Sequence, residues 1–149
     1  MTTTVTDIQT TQVYQLFIRA TPEAIWEAIT EPEFTARYFY GARITIGPDR
    51  LSSLSPDDEV WGDEAVHEFD PPRRLVHAWR SRYDAELADE GESRVTWEIE
   101  PQDNGTCLLT VVHDQLESAP KTAASVAGFG WMTVLSGLKT LLETGEPLA

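Results

Sequence analysis

The sequence predicts an α+β fold in which a curved antiparallel sheet packs against one long C-terminal helix. The stretch from Ala119 to Thr144 keeps apolar residues at helical spacing, which is typical of a helix that buries one face. Most of the chain between residues 39 and 114 has the composition of short β-strands joined by turns. Strands in succession followed by a helix favour an antiparallel sheet with its helices on one side.

The predicted C-terminal helix has start and stop signals at its ends. Ser118 can cap its start, Pro120 suits its first turn and Gly145 ends it. Its predicted apolar face contains Ala124, Ala127, Trp131, Val134, Leu135, Leu138, Leu141 and Leu142. Gly128 and Gly130 lie inside the helix, where a glycine costs about 1 kcal/mol relative to alanine. They indicate a bend, or a place where the helix leaves room beside the sheet.

The N-terminal part of the chain predicts a tail, a strand and two helical segments. Residues 1–11 are Thr-rich and unpatterned, so we expect a disordered tail. The β-branched and aromatic run Gln12–Ala20 predicts the first strand. Thr21 and Pro22 then combine an N-cap hydroxyl with a first-turn proline, which is a helix start. A second short helical turn is expected over Pro32–Arg37.

The other predicted strands are bounded by turn residues. They cover Phe39–Ile46, Arg50–Ser55, Glu64–Phe69, Leu75–Tyr83, Ser93–Glu100 and Thr106–Asp114. The acidic run 84–92 predicts a solvated loop, and the segment 47–63 has the least clear pattern. Because neither a linker nor an internal repeat is evident, residues 1–149 are predicted to form a single domain.

Composition excludes several classes of function. The chain carries 11 basic and 25 acidic residues and a formal net charge of −14, which disfavours nucleic acids and anionic membrane surfaces. Cys107 is the only cysteine, so neither an intrachain disulfide nor a multi-cysteine metal site is expected. The sequence also lacks a secretory signal and a run of about 20 apolar residues. We therefore expect a cytoplasmic protein without membrane insertion.

Two motifs carry a family resemblance. Residues 20–32 read ATPEAIWEAITEP and residues 69–79 read FDPPRRLVHAW. They resemble the opening and central motifs of the START-like (SRPBCC) superfamily, in the branch of homologues of the activator of heat-shock protein 90 ATPase. Weaker matches extend the resemblance over about residues 12–144. The segment 47–63 departs from the pattern, because it lacks a clear glycine-led hairpin.

The resemblance implies a helix-grip fold, in which the curved sheet wraps a long C-terminal helix and a cavity lies between them. It implies little chemistry, because members of the superfamily include binders of lipids, polyketides and plant hormones as well as aromatases and cyclases. From this we predict that the protein binds a small hydrophobic or aromatic molecule by burying its apolar surface, at about 25 cal/mol per Å². Neither a cofactor nor a metal is expected.

The candidate ligand-binding residues are aromatic side chains, histidines and part of the long helix. They are Tyr38, Phe39, Trp61, His77, Trp79, Trp97, His113, Val126, Ala127 and Trp131. Rings of this kind also fill hydrophobic cores, and the sequence alone does not separate the two roles. We expect the space for a ligand to lie beside the first half of the long helix, from Ala123 to Trp131.

Two other functions stay open at this stage. A protein–protein interaction module, co-chaperone-like or a partner of a regulator, predicts an exposed apolar patch and contacts at an edge strand, including those of a homodimer. A cyclase or hydrolase predicts a pocket histidine, His113 or His77, acting as a base. His67 and His77 lack a third ligand for zinc, and the sequence contains neither a phosphate-binding loop nor a nucleophile elbow.

Overall fold

The computed structural model describes residues 10–127 and 129–149. The described chain forms seven strands and five helices. In chain order they are β1 (Gln12–Ile18), α1 (Pro22–Thr30), α2 (Pro32–Thr35), β2 (Arg43–Ile46), β3 (Arg50–Leu54), β4 (Val60–Asp70), β5 (Arg74–Trp79), α3 (Ala85–Ala88), β6 (Ser93–Pro101), β7 (Cys107–Asp114), α4 (Pro120–Val126) and α5 (Phe129–Thr144). Residues 1–9 of the predicted disordered tail lie outside the described residues.

The seven strands form one curved antiparallel sheet in the order β1-β7-β6-β5-β4-β3-β2. The strand alternation places Ile18, Leu75, Val95, Leu109 and Val111 in the core, where they are fully buried against the helices. The predicted α+β helix-grip fold class is thereby confirmed. Among the described residues, the helices are too short or too polar to cross a membrane.

Helix α1 forms where its capping signals predict it. The Thr21 hydroxyl accepts a hydrogen bond from the backbone N–H of Ala24 at 3.1 Å, and Pro22 occupies the first turn. The buried side of the helix packs Ile25 and Ile29 into the core. Helix α1 therefore closes one end of the concave face of the sheet.

The prediction of one uninterrupted helix from Ala119 to Thr144 is wrong. Helix α4 ends at Val126, its C-cap residue Ala127 has an extended backbone (φ −71°, ψ 172°), and α5 starts at Phe129. Gly128 lies outside the described residues. The break falls where the two glycines weaken the helical pattern, as the predicted bend requires. Gly145, with φ +80°, ends α5.

The start of α4 also differs from the prediction. Its cap residue is Ala119 rather than Ser118. The carboxylate of Glu90, distant in sequence, accepts hydrogen bonds from the backbone N–H groups of Lys121 and Thr122, both at 2.8 Å. A carboxylate at this position satisfies donors that the helix leaves open and opposes its positive end. Tertiary contact therefore replaces the local cap.

Other boundaries move because turns and caps outcompete the strand pattern. Strand β2 starts at Arg43 rather than Phe39, because Tyr40 and Gly41 adopt positive φ values of 54° and 77°. Strand β5 ends at Trp79 rather than Tyr83. The acidic loop holds the short helix α3, which is capped by the Asp84 side chain.

The unclear segment 47–63 contains β3 and the start of β4, separated by a turn at residues 55–59. The N–H of Gly47 donates to the carbonyl of Arg50 at 3.0 Å and closes a β2–β3 hairpin. Strand β4 then pairs with β3 and starts at Val60, four residues before the predicted strand. This hairpin and β4 form the outer end of the sheet, beside which the cavity lies.

Candidate functional site

A cavity of about 410 Å³ lies between the β2–β5 end of the sheet and the junction of α4 with α5. Most of its wall is apolar. The lining residues are Phe39, Tyr40, Ala42, Ile44, Leu51, Ser53, Trp61, Gly62, Glu64, Ala78, Trp79, Arg80, Tyr83, Ser125, Val126, Gly130, Trp131 and Val134. Its size is within the range of about 300–1,000 Å³ that is usual for small-molecule sites.

Three aromatic rings form one continuous wall of the cavity. The ring centroids of Trp79 and Trp131 are 5.7 Å apart, and Phe39 lies 6.2 Å from Trp79 and 6.1 Å from Trp131. Such spacing is typical of tilted and edge-to-face aromatic contacts. Each ring supports the other two, so the wall has a defined shape.

Two half-exposed tyrosines mark the rim of the cavity. The Tyr83 hydroxyl lies 3.1 Å from the Ser125 hydroxyl and so connects the segment after β5 with α4. Tyr40 is 57% exposed, and its hydroxyl donates to the carbonyl of Gly130 at 3.4 Å. Trp61 packs edge-on against Tyr83 at 6.3 Å. The rim is therefore made of amphipathic rings that join sheet to helices.

The cavity wall contains one buried carboxylate. Glu64 on β4 is only 3% exposed and lies opposite Leu51 in the strand register. Its Oε2 accepts hydrogen bonds from Arg82 Nε at 2.7 Å and from the backbone N–H of Asp63 at 3.1 Å. Its Oε1 is buried and has no partner within the described part of the chain. The bond to Glu64 raises the pKa of Arg82 above its ordinary value.

A second charged group, Arg80, borders the cavity at the end of β5. Its Nη1 donates to the carbonyl of Ala88 at 2.6 Å, which holds α3 against the sheet. Its guanidinium forms no ion pair with a residue that the structure describes. The wall is thus apolar, with polar groups at a few defined points.

Two buried histidines lie next to the cavity in a hydrogen-bonded group that we call the histidine cluster, formed by His77, Ser93, Trp97, His113 and Trp131. The indole N–H of Trp97 donates to His77 Nε2 at 3.0 Å, and that of Trp131 donates to His113 Nδ1 at 3.1 Å. Because an indole nitrogen only donates, both acceptor nitrogens are unprotonated.

The other ring nitrogens of the cluster carry the protons. His77 Nδ1 donates to the carbonyl of Ala78 at 2.8 Å, and His113 Nε2 donates to the Ser93 hydroxyl at 2.7 Å. Burial lowers the pKa of His77 to about 4 and that of His113 to about 3. Both rings are therefore neutral at physiological pH and fully hydrogen-bonded.

The structure brings half of the sequence-predicted site residues to the cavity. Those that line it are Phe39, Trp61, Trp79, Val126 and Trp131, whereas Tyr38, His77, Trp97, His113 and Ala127 do not. His77, Trp97 and His113 belong to the histidine cluster. The Tyr38 hydroxyl donates to the carbonyl of Ala28 at 2.7 Å, and Ala127 occupies the turn between α4 and α5.

Sequence reasoning missed most of the sheet side of the cavity. The missed residues are Tyr40, Ala42, Ile44, Leu51, Ser53, Gly62, Glu64, Ala78, Arg80, Tyr83, Ser125, Gly130 and Val134. Several come from the segment with the least clear pattern. Around Glu64 the alternation is ambiguous because apolar residues occupy both faces of β4, so the sequence does not indicate that this carboxylate points inward.

Among the described residues, the geometry brings neither a histidine to the cavity wall nor metal-ligating side chains together. Both ring nitrogens of His77 and His113 are engaged by protein groups, and neither residue lines the cavity. The enzyme hypothesis required His77 or His113 to act as a base inside the pocket, and neither side chain has that position. Among residues 10–127 and 129–149, no group of three or more metal-ligating side chains comes together.

Solved structures with the same fold come from several bacteria. Protein MLL2253 from Mesorhizobium loti is 23% identical, with a TM-score of 0.71 over 89% of this chain and 96% of that one. DynU16, from the dynemicin biosynthetic locus, is 22% identical with a TM-score of 0.72, over 93% of this chain and 49% of its own. The Aha1 dimer from Colwellia psychrerythraea is 16% identical, with a TM-score of 0.70 over 92% and 98%.

Sequence comparison places the chain more definitely. Comparison with curated proteins finds no significant match. A family model, described as Activator of Hsp90 ATPase homolog 1-like protein, matches residues 19–143, which is most of the chain. The match includes every strand from β2 onward together with all five helices except the last residue of α5. The chain belongs to the Activator of Hsp90 ATPase homolog 1-like family.

Proposed function

We propose that the protein binds a small, largely apolar molecule in the cavity between the sheet and the α4–α5 junction. The observation that carries this proposal is the cavity of about 410 Å³ with its wall of Phe39, Trp79 and Trp131. Burial of apolar ligand surface would supply the affinity, at about 25 cal/mol per Å². The few polar groups on the wall would orient the ligand.

A lipid or polyketide as the ligand class, and a cytoplasmic location, are finer parts of the same proposal. DynU16, which shares the fold, comes from a biosynthetic locus, and this is compatible with a small organic ligand. The net charge of −14 disfavours strongly anionic ligands by long-range repulsion.

The proposal can be tested with phenylnaphthylamine, a neutral apolar dye whose emission rises when it leaves water. We expect saturable binding to the wild-type chain. Val126→Trp puts a large ring into the cavity from α4 and should weaken dye binding by about tenfold or more, since it fills the space that the dye occupies. Met132→Trp is the matched control, because Met132 is exposed on α5 and does not line the cavity.

The outcomes separate cleanly. Equal dye affinity in the wild type and in Val126→Trp, with both proteins folded by circular dichroism, would place the dye elsewhere and refute the proposal. Absence of saturable binding to the wild type would refute it too. Loss of binding in Val126→Trp alone, with Met132→Trp unaffected, supports it.

A second candidate function is self-association through β1, the edge strand next to β7. Val13 and Phe17 are 58% and 55% exposed on its outer side, although large apolar side chains are normally buried. The Aha1 protein of similar fold is a dimer. Lys139 donates to the carbonyl of Phe17 at 2.7 Å and so occupies one backbone acceptor of β1. The two exposed apolar side chains would supply the packing of such a contact.

Light scattering after gel filtration tests this second candidate. If β1 forms a dimer contact, Phe17→Ser should shift the wild-type dimer to a monomer, while Val60→Ser, an exposed apolar position on β4, should not. A wild-type protein that stays monomeric at high concentration would exclude the dimer and leave the cavity proposal untouched.

A further inference from the structure

A carboxylate that lines the cavity has one oxygen without the partner that its chemistry requires. Glu64 is 3% exposed and lines the cavity, and its Oε2 is bonded to Arg82 and to the backbone of Asp63. Its Oε1 is buried without a hydrogen-bond partner within residues 10–127 and 129–149. A carboxylate accepts at both oxygens, and leaving one of them buried without a donor is destabilising.

The nearest guanidinium does not satisfy this oxygen. Arg82 donates from Nε to Glu64 Oε2, but its Nη2 donates to the carbonyl of Asp63 at 3.3 Å. The fork of the arginine is therefore divided between a side chain and the backbone instead of binding both oxygens of the carboxylate. The Glu64–Arg82 pair is neutral as a whole, yet one acceptor of the pair has no donor.

The unpartnered oxygen belongs to a mostly apolar part of the wall, which suits the hydroxyl of an otherwise apolar ligand. In the strand register Glu64 lies opposite Leu51, and Ser53 lies opposite Gly62, so all four face the same side of the sheet. Of these four residues only Glu64 and Ser53 carry polar side-chain atoms, and the Ser53 hydroxyl forms no hydrogen bond to another described residue. Other polar groups of the lining, such as Arg80 and Tyr83, have partners of their own.

We propose that the cavity ligand carries a neutral hydroxyl that donates a hydrogen bond to Oε1 of Glu64, so that the ligand is an apolar alcohol or phenol. This inference rests on the proposed ligand-binding function and names its polar contact. Since Arg82 already balances the charge of Glu64, a neutral donor completes the site. A ligand ammonium would add an unbalanced buried charge, and a ligand carboxylate would face the carboxylate of Glu64.

Three probes of nearly equal shape test the donor requirement. Naphthalene has no polar group, naphthol adds a hydroxyl, and methoxynaphthalene keeps the oxygen but removes its proton. Isothermal titration with the full chain at neutral pH should show naphthol binding about tenfold or more tightly than methoxynaphthalene, since hydrogen bonds to charged groups are the stronger ones. Equal affinity of the three probes would overturn the inference while leaving cavity binding intact.

Two variants test whether the preference for naphthol depends on Glu64. Glu64→Gln keeps the shape of the side chain and should reduce the naphthol preference several-fold, with naphthalene affinity within about twofold of the wild type. Glu68→Gln is the matched control: it makes the same change on the same strand, where the carboxylate pairs with exposed Arg74 outside the cavity. A preference lost equally in both variants would contradict a specific role for Glu64.

A double variant keeps the inference testable if Glu64→Gln does not fold. Glu64→Met with Arg82→Met removes both charges together, which avoids a buried unpaired partner. It should bind naphthalene and abolish the naphthol preference. A preference that persists in Glu64→Gln and in the double variant overturns the inference. If no probe binds even to the wild type, the proposed function and this inference fall together.

Discussion

The histidine cluster and the cavity lie side by side and share Trp131. The cluster is solidly packed, whereas the cavity encloses empty volume. In the cluster, each indole N–H meets a histidine nitrogen, and both histidines use their second nitrogen as a donor. In the cavity, the rings of Phe39 and Trp79 share the lining with small residues such as Ala42 and Gly62.

The difference shows that aromatic content alone does not decide between core and pocket. Rings whose polar atoms are paired with one another close up into a solid, specific core. Rings that share their surroundings with small side chains leave volume, because a short side chain does not reach across the space. Trp131 takes part in both regions: its N–H belongs to the cluster and its ring to the cavity wall.

Acidification should have the largest effect, and it should act on the cluster. The pKa values of His77 and His113 are lowered to about 4 and about 3 in the folded state, below their ordinary 6.5. Below about pH 6.5 these two histidines therefore bind protons in the unfolded chain but stay neutral in the folded chain. Their stabilising contribution is complete above pH 6.5 and is lost as the pH falls toward those values, by about 1.4 kcal/mol per pH unit for each histidine.

Urea unfolding between about pH 7 and about pH 5 measures this slope while ordinary carboxyl groups, with pKa values near about 4, stay ionised. A free energy of unfolding that is independent of pH over this range would show that the cluster histidines are not held neutral by burial.

Truncation of the shared ring should have the next largest effect. Trp131→Ala removes a buried ring and leaves His113 Nδ1 without its donor, and it should lower the free energy of unfolding by about 3–5 kcal/mol. Trp61→Ala, at the cavity rim, should lower it by less than half of that, because this ring is only partly buried. Equal losses in urea denaturation would contradict the distinction between the two regions.

The smallest effect is expected from a polar residue of the cavity. Ser53→Ala removes a hydroxyl that bonds to no other described residue, so stability should change by less than about 1 kcal/mol. Ser93→Ala in the cluster removes the acceptor of His113 Nε2 and should cost about 1–3 kcal/mol. Thermal unfolding of the two serine variants in parallel compares the regions with the least disturbance of packing.

Local signals predicted much of the fold. The Thr21 cap, the turn at residues 101–105 and the strand alternation of β1 and β7 all act between near neighbours in sequence. Two glycines in the sequence indicated the break after Ala127. The sequence did not indicate which side chain caps α4. The capping carboxylate belongs to Glu90, 31 residues before Lys121 in the chain, and a contact between residues so far apart is not visible in the local sequence pattern.

The candidate site was predictable in kind but only partly in its members. Large rings were candidates by their type alone, and the sequence does not distinguish Trp79, on the cavity wall, from Trp97, inside the cluster. Glu64 was missed because apolar residues on both faces of β4 obscure which way it points. Its partner Arg82 follows a different strand, so their pairing depends on the register between β4 and β5.

By itself the sequence determined the fold class, the family resemblance and the acidic surface, because these follow from periodicity, motif and composition. Only the tertiary structure decided which rings close into a core and which enclose a cavity. That decision depends on what each ring meets across the sheet–helix interface. Hydrogen-bond partners and side-chain sizes at such contacts are set by residues far apart in the chain.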